Sequence, residues 1–209
     1  MRVLLLRHGQ TDLNVQKRLQ GSSDIPLNER GREQARETRK FIENEGIKVS
    51  RIISSPLERA IETGSIATGI PMEDIQVDPN LIEMGFGVCE KKNMGEENPA
   101  FLHECFDTPA EYHAPEGGEN YDEVVARAAA VVERVRGMIN DGSLKEDDVL
   151  LLVSHGALSH AIFEYIKKTP REAYWDVDFN NCAIAELFIS PDNSGDDYVF
   201  LSEGFEKNW

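Results

Sequence analysis

Two histidine–glycine pairs occupy matching places in the sequence, each separated by one residue from a short apolar segment before it. His8-Gly9 comes just after residues 3–6, and His155-Gly156 comes just after residues 149–153. Apolar runs of this length are typical of strands buried on both faces of a parallel sheet. Because ligands bind beyond the carboxyl ends of such strands, we expect the two imidazoles to face a single cleft. A lone histidine is more often structural, whereas two in matching contexts indicate a functional site.

Two arginines near the same strand ends would give this cleft positive charge. Arg7 stands beside the first histidine, and Arg59 follows Ser54-Ser55-Pro56, where a second strand is predicted to turn into a helix. Helix N-termini and guanidinium groups both bind anions. Taken alone, Arg59 is better explained as a surface residue paired with Glu58 or Glu62. Together with two histidines, the arginines predict a pocket for a tetrahedral phosphoryl group that one imidazole can attack.

Alternating strands and helices must hold these residues in place. Strands are predicted over residues 3–6, 51–54, 75–77, 149–153, 182–189 and 198–202. Helices are predicted from N-cap Asn28 to a stop at Gly46, from N-cap Ser55 and first residue Pro56 to a stop at Gly69, and over residues 120–140 and 156–168. This order favours right-handed βαβ units and a mainly parallel sheet that helices cover on both faces. We expect one α/β domain over residues 1–209, with a lid-like excursion at about residues 84–120.

Composition limits the classes of partner. The 209 residues carry 22 Lys and Arg against 38 Asp and Glu, so the net charge is −16. So acidic a chain is expected to bind neither nucleic acid nor an anionic membrane. Three widely spaced cysteines (Cys89, Cys105 and Cys182) argue against a disulfide framework and favour a reducing compartment. The apolar runs are too short for a signal peptide or a membrane span, so we expect a cytoplasmic, soluble protein.

Several blocks of the sequence are similar to those of the histidine phosphatase superfamily, in its phosphoglycerate-mutase-like group. The blocks occur in the family's order and span most of the chain: Arg7-His8-Gly9-Gln10-Thr11, Asn14, Arg18-Leu19-Gln20-Gly21, Asp24-Ile25-Pro26-Leu27, Ser54-Ser55-Pro56-Leu57-Glu58-Arg59-Ala60, Leu81-Ile82-Glu83 and Ser154-His155-Gly156. The chain departs from the family at Cys89-Glu90-Lys91, where Trp-Glu-Gly is common. It departs again at Gly117-Gly118-Glu119-Asn120, where phosphatases of the group often carry Gly-Gly-Glu-Ser.

The resemblance implies a three-layer α/β/α sandwich and a role for each matching residue. His8 would accept the phosphoryl group, Glu83 would act as general acid and base, and the phosphoryl oxygens would be held by Arg7, Arg59 and His155. Asn14 and Gln20 would line the substrate pocket together with Gly21 and Gly156. The physics is consistent, since phosphoryl transfer depends mostly on positioning and fixed positive charge. No metal and no cofactor is expected, and His103-Glu104-Cys105 has no second motif with which to bind zinc.

Three functions remain open from the sequence. The first is hydrolysis of a small phosphorylated metabolite through a phosphohistidine. The second is a phosphoglycerate mutase, which needs extra cations above the pocket to hold a carboxylate. Residues 93–126 contain nine Asp and Glu but no Lys or Arg, which favours the phosphatase, with Lys91 and Lys92 as the only nearby candidates. The third is a non-catalytic phosphoryl-binding protein. The leaving group and the oligomeric state stay open.

Overall fold

The computed structural model describes residues 1–205, which form one six-stranded sheet flanked by helices. The strands are β1 (Arg2–Arg7), β2 (Arg51–Ser54), β3 (Gln76–Val77), β4 (Val149–Ser154), β5 (Ile184–Phe188) and β6 (Asp197–Ser202). The α-helices are α1 (Asp12–Val15), α2 (Glu29–Asn44), α3 (Glu58–Thr68), α4 (Met94–Glu97), α5 (Pro99–Leu102), α6 (Tyr121–Asn140) and α7 (Gly156–Lys167).

The strand order places the two histidines side by side. The sheet runs β3-β2-β4-β1-β5-β6, with parallel pairing from β3 to β1 and antiparallel pairing at β5 and β6. The predicted, mainly parallel sheet is therefore confirmed. In the register of β1 and β4, Arg7 lies opposite Ser154. His8 and His155 are the next residues on these neighbouring strands, so both leave the sheet at the same point.

Two apolar cores, one on each face of the sheet, confirm the three-layer sandwich. Successive residues of β1 point to opposite faces. Leu4 and Leu6 therefore pack with the buried side chains of α2 and α3, whereas Leu5 packs with those of α6 and α7. All three leucines are fully buried. No helix within residues 1–205 is long and apolar enough to cross a membrane.

Helix caps explain where the main helices begin. The Asn28 side chain accepts a hydrogen bond from Gly31 N at the start of α2, as predicted. At the start of α6, the Asn120 side chain accepts from Glu123 N, while the Glu123 carboxylate accepts from Asn120 N, and together they form a capping box. All three bonds satisfy N–H groups that have no partner inside the helix.

The predicted start of α3 was wrong. Its N-cap is Leu57 rather than Ser55, and Glu58 rather than Pro56 is its first residue. The Ser55 hydroxyl is instead directed to His155 Nε2, 2.7 Å away, so the side chain that looked like a cap belongs to the site. The strand predicted from Cys182 also begins later, at Ile184. Cys182 has a left-handed backbone (φ 58°), so it lacks the extended conformation of a strand residue although its N–H still donates to Arg7 O (3.1 Å).

The predicted lid-like excursion contains short helices and turns of several kinds. Besides α4 and α5 it includes a π-turn over His103–Asp107 and 3₁₀ turns at Gly87–Cys89 and Pro109–Glu111. Several of its apolar side chains, among them Phe101, Cys105 and Tyr112, are buried in the core formed with α6 and α7. Much of the excursion is therefore anchored to the sandwich.

Candidate active site

His8 is held at the end of β1 with its two ring nitrogens in different environments. Only 2 % of the residue is exposed, and its Nδ1 lies 2.6 Å from Gly9 O, to which Nδ1–H donates. Burial, with the positive charges of Arg59 and Arg7, lowers the pKa of His8 well below its usual value. The ring is therefore neutral, and its lone pair is at Nε2.

His155 lies directly beside His8, with 5.0 Å between the ring centroids. It is fully buried, and its Nε2 is 2.7 Å from Ser55 Oγ. The Nδ1 atom is buried and has no hydrogen-bond partner among residues 1–205. Burial and the charge of Arg59 lower the pKa of His155, so this ring is neutral as well. When Nε2 of this neutral ring accepts a hydrogen bond from the Ser55 hydroxyl, the ring carries its proton at Nδ1. His155 Nδ1–H is therefore free to donate a hydrogen bond.

Arg7 and Arg59 bring two guanidinium groups into the same buried region. Arg7 Nη1 donates to Phe179 O (2.7 Å), and Arg59 donates from Nη1 to Ser23 O (2.8 Å) and from Nη2 to Gly21 O (2.9 Å). In both arginines Nε is buried without a partner in the described part of the chain. Burial lowers the pKa of Arg59 to about 10, so it keeps its charge at neutral pH.

The alternative of a surface ion pair for Arg59 is excluded. Arg59 is completely buried, and Glu62 pairs instead with Arg32, 2.7 Å away. Within residues 1–205, the Arg59 guanidinium donates only to backbone carbonyl groups, so no bonded carboxylate neutralises its positive charge. Such a charge favours an anion in the pocket beside it.

Glu83 sits at the N-terminus of α7, next to Gly156. Its Oε1 accepts from Met84 N (2.9 Å) and Leu158 N (3.2 Å), and Oε2 accepts from Ala157 N (3.3 Å). A Cβ at position 156 would lie 3.4 Å from Arg7 Cζ and 3.6 Å from Glu83 Oε2. Glycine therefore keeps open the space between the guanidinium and the carboxylate.

A second layer of charged residues holds the Glu83 loop from behind. Arg127 of α6 donates from Nη1 to Asn80 O (2.9 Å) and Ile82 O (2.8 Å). The same guanidinium pairs with Glu119, whose Oε2 also accepts from Gly85 N (2.8 Å). The loop is thus bonded on both sides of Glu83.

Glu90 holds the loop that bonds Arg59. Its carboxylate accepts from the backbone N–H groups of Ser22 (2.9 Å) and Ser23 (3.0 Å). Gly21 has a left-handed backbone (φ 54°), and a Cβ there would collide with the Glu90 carboxylate. The two blocks that depart from the family's pattern thus each contain a glutamate, Glu90 or Glu119, that accepts hydrogen bonds from a loop of the site.

Asn14 and Gln20 present their amide groups to the pocket wall. The Thr11 hydroxyl lies 2.8 Å from Gln20 Oε1, and Thr11 N donates to Asn14 Oδ1 (3.0 Å). Because Thr11 holds both amide oxygens, the amide NH₂ groups are left to serve as donors.

These residues surround a cavity of about 260 Å³. Eight of the nine predicted site residues line it: Arg7, His8, Asn14, Gln20, Gly21, Arg59, Glu83 and Gly156. His155 does not reach the wall and lies buried beside His8. Additional lining residues that were not predicted include Arg18, His160, Trp175 and Val177. Arg18 belongs to a block that was singled out, but the other three carry no motif. Phe106 also lines the cavity, whereas Phe101 and Tyr112 pack in the core.

His103 and His113 lie outside this pocket. The His103 side chain is exposed and pairs with Asp107, and that of His113 is more exposed still. Within residues 1–205, no three His, Cys, Asp or Glu side chains are grouped closely enough to hold a metal ion.

A sheet covered on both faces, with neutral histidines and buried arginines converging at its strand ends, is the architecture of an anion-binding enzyme. The chain belongs to the histidine phosphatase superfamily, branch 1, whose family model matches residues 3–195. It is 32% identical over 190 residues to an Escherichia coli protein named "Probable phosphoglycerate mutase GpmB", and the match covers 90% of this chain and 84% of that protein.

Solved structures agree with the family and the fold. The YhfR protein of Bacillus stearothermophilus has a TM-score of 0.79 and 26% identity, over 99% of this chain and 98% of that one. A mycobacterial glucosyl-3-phosphoglycerate phosphatase, solved with VO₃, has a TM-score of 0.73 and 28% identity, over 96% of this chain and 97% of that one. The predicted superfamily and the predicted enzyme class are thereby confirmed.

Proposed function

We propose that the protein hydrolyses small phosphomonoesters through a phosphohistidine at His8. The observation that carries this proposal is the hydrogen bond from His8 Nδ1–H to Gly9 O, which leaves a neutral Nε2 on a ring that two buried guanidinium groups influence electrostatically. A neutral imidazole is a usable nucleophile for phosphorus. The unpartnered Nε donors of Arg7 and Arg59, both of which line the cavity, are suited to the equatorial oxygens of the phosphoryl group in flight. A third unpartnered donor, His155 Nδ1, is buried directly beside the His8 ring.

The proposed reaction has two steps that balance. First, His8 Nε2 forms a bond to phosphorus while the ester P–O bond breaks, and the leaving oxygen takes a proton from the Glu83 carboxyl. Water then attacks the phosphorus, gives its proton to Glu83, and the N–P bond breaks to release phosphate. Asn14 and Gln20 supply neutral amide donors to the pocket, and Gly21 and Gly156 leave room for the substrate.

Hydrolysis is favoured over mutase activity by the charges above the pocket. The acidic residues 93–126 supply no Lys or Arg, and neither Lys91 nor Lys92 lines the cavity. Arg18 is the one guanidinium beyond Arg7 and Arg59 in the described wall, and its Nη1 donates to Lys91 O (2.8 Å). The E. coli relative bears a mutase name, so the mutase is the second candidate.

We infer that the reaction needs no divalent metal, because two arginines supply the positive charge that a metal supplies elsewhere. A cytoplasmic location is proposed from the three cysteines, all of which are free and buried. The partner expected in the pocket is a small phosphorylated molecule.

Phosphate release from a panel of monoesters tests the proposal, after dialysis against EDTA and without added 2,3-bisphosphoglycerate. Release should persist, and orthophosphate and vanadate should inhibit it. Phosphoglycerate interconversion faster than hydrolysis would establish the mutase instead. Binding of phosphate without any turnover would establish a non-catalytic binding protein. Loss of activity restored only by a divalent ion would contradict metal independence.

A further inference from the structure

Three partly exposed apolar side chains line the cavity beside the phosphoryl-binding residues: Phe106, Trp175 and Val177. We call them the apolar wall. The rings of Phe106 and Trp175 are 5.0 Å apart. Val177 is two residues from Phe179, whose carbonyl accepts from Arg7 Nη1. The wall is therefore connected to the phosphoryl end of the pocket.

Hydrogen bonds inside the protein satisfy the polar edge of the wall. Trp175 Nε1–H donates to Cys105 O (2.9 Å) and shares its proton with Tyr121 Oη at the same distance. Cys105 and Phe106 belong to the same π-turn, so one carbonyl ties the indole to the backbone that carries the phenyl ring. The wall thus offers a substrate fixed apolar surface, and a preorganised surface loses little entropy on binding.

The apolar wall itself carries no positive charge that could pair with an anionic leaving group. Arg7 and Arg59 belong to the phosphoryl end, and Arg18, the one further arginine of the described lining, donates from Nη1 to Lys91 O (2.8 Å). His160 lines the cavity too, with 4.7 Å between its ring and that of Trp175, but burial lowers its pKa to about 3. It is therefore uncharged at neutral pH.

We propose that the apolar wall binds the leaving group and that the preferred substrates are phosphomonoesters of uncharged, apolar alcohols. This inference rests on the proposed phosphatase activity and specifies its substrate class. A leaving group that packs against Phe106, Trp175 and Val177 loses contact with water, whereas a carboxylate there would be desolvated with no cation of the wall to pair with it.

Propyl and hexyl phosphate form a suitable pair of probes, because their alcohols are almost equally basic and differ by three methylenes. Complete burial of a methylene corresponds to roughly a fourfold gain in binding. We expect kcat/KM for hexyl phosphate to exceed that for propyl phosphate by about tenfold or more. It should also exceed kcat/KM for 3-phosphoglycerate.

Two substitutions in the wall should change this selectivity. Phe106→Ala should lower the hexyl-to-propyl ratio about fivefold and leave propyl phosphate within about threefold of the wild type. Val177→Lys adds a cation, so it should raise kcat/KM for 3-phosphoglycerate relative to hexyl phosphate by about tenfold. Phe188→Ala removes an exposed ring on β5, outside this cavity, and should leave both ratios unchanged.

A hexyl-to-propyl ratio near one, or wall variants with the selectivity of the wild type, would overturn the inference while phosphate release continued. Failure of the proposed function would be different, since no monoester would then release phosphate and no phosphoryl group would be found on the protein. Measuring release and selectivity in the same assays therefore distinguishes the two outcomes.

Discussion

At the residue scale, the chemistry depends on how the backbone treats individual side chains. The Gly9 carbonyl fixes the proton of His8 at Nδ1, and the first turn of α7 provides two of the three N–H groups that bond the Glu83 carboxylate. The proposed nucleophile and the proposed acid are thus both oriented by main-chain groups that substitution of a neighbouring side chain does not remove. Their separate roles can be tested with substrates that differ in the leaving group.

Glu83→Gln should slow an alkyl phosphate far more than p-nitrophenyl phosphate. An alkoxide leaves poorly without a proton, and general acid catalysis typically contributes about 100- to 10,000-fold. The phosphoenzyme should still form from p-nitrophenyl phosphate, but it should break down more slowly, because the carboxylate that deprotonates water is gone. Glu62→Gln changes a carboxylate outside the pocket and is the control. Equal losses on both substrates, with an unchanged phosphoenzyme lifetime, would show that the acid lies elsewhere.

The sequence predicts those site residues that follow a recognisable strand end or lie in one of the family's sequence motifs. His8, His155 and Arg7 follow from the strand ends, and Arg59 follows from the strand-to-helix turn. Trp175 and Val177 could not be predicted in the same way, because they lie in an irregular loop after α7. Its path over the pocket is set by long-range contacts such as the bond from Arg7 to Phe179 O.

At the scale of elements, α6 matters to the site although no residue of it lines the described cavity. Its Arg127 bonds the carbonyls on the chain just before Glu83 and pairs with Glu119 just before the helix. The start and apolar stripe of α6 were predictable from the sequence, since its capping box and helical spacing are local. The contact between Arg127 and the loop that carries Glu83 was not predictable, because it joins residues 45 positions apart.

Arg127→Lys should impair the action of Glu83 more than the attack by His8. An ammonium group cannot reproduce the forked donation to two carbonyls and a carboxylate, so the loop should become less well ordered. We expect kcat for an alkyl phosphate to fall about tenfold, with a much smaller loss on p-nitrophenyl phosphate. Arg136→Lys alters an ion-paired arginine of the same helix, bonded instead to Asp196. It should leave the ratio of the two rates unchanged. A uniform loss in Arg127→Lys would reduce its role to general stability.

At the scale of the whole molecule, three buried histidines link stability to pH. Burial lowers the pKa of His8, His155 and His160 in the folded protein, whereas the unfolded chain has a value near 6.5. Below pH 6.5 the unfolded chain binds protons that the folded chain does not, so the free energy of unfolding decreases as pH falls. Above pH 6.5 these groups have no effect, because both states are neutral.

Urea unfolding at pH 7.5 and pH 5.5, in buffer without phosphate, measures this effect. His160, whose pKa is about 3 in the folded protein, should cost about 1.4 kcal/mol between these two pH values. His160→Gln should therefore lose about 1.4 kcal/mol less than the wild type over the same interval. Comparing the two proteins cancels the contribution of the carboxyl groups. Equal losses in both would show that His160 is protonated in the folded state.

The order of strands and helices was predictable, but the direction and start of some elements were not. Short apolar runs do not reveal whether a strand is parallel, and β5 and β6 turned out antiparallel. Ser55-Pro56 resembles a helix start, yet tertiary contact with His155 draws the serine into the site. At the start of α3, a long-range contact thus overrides a local preference.

The most direct test of the proposed phosphohistidine mechanism is to trap the phosphoryl group on His8. Brief incubation with a radiolabelled phosphomonoester, followed by a mild quench, should leave label on the protein that is labile in acid and stable in base, and peptide mapping should locate it at His8. His8→Ala should carry no label, whereas His103→Ala, altered at an exposed histidine outside the cavity, should be labelled like the wild type. Label at the wild-type level in His8→Ala would contradict the proposed mechanism.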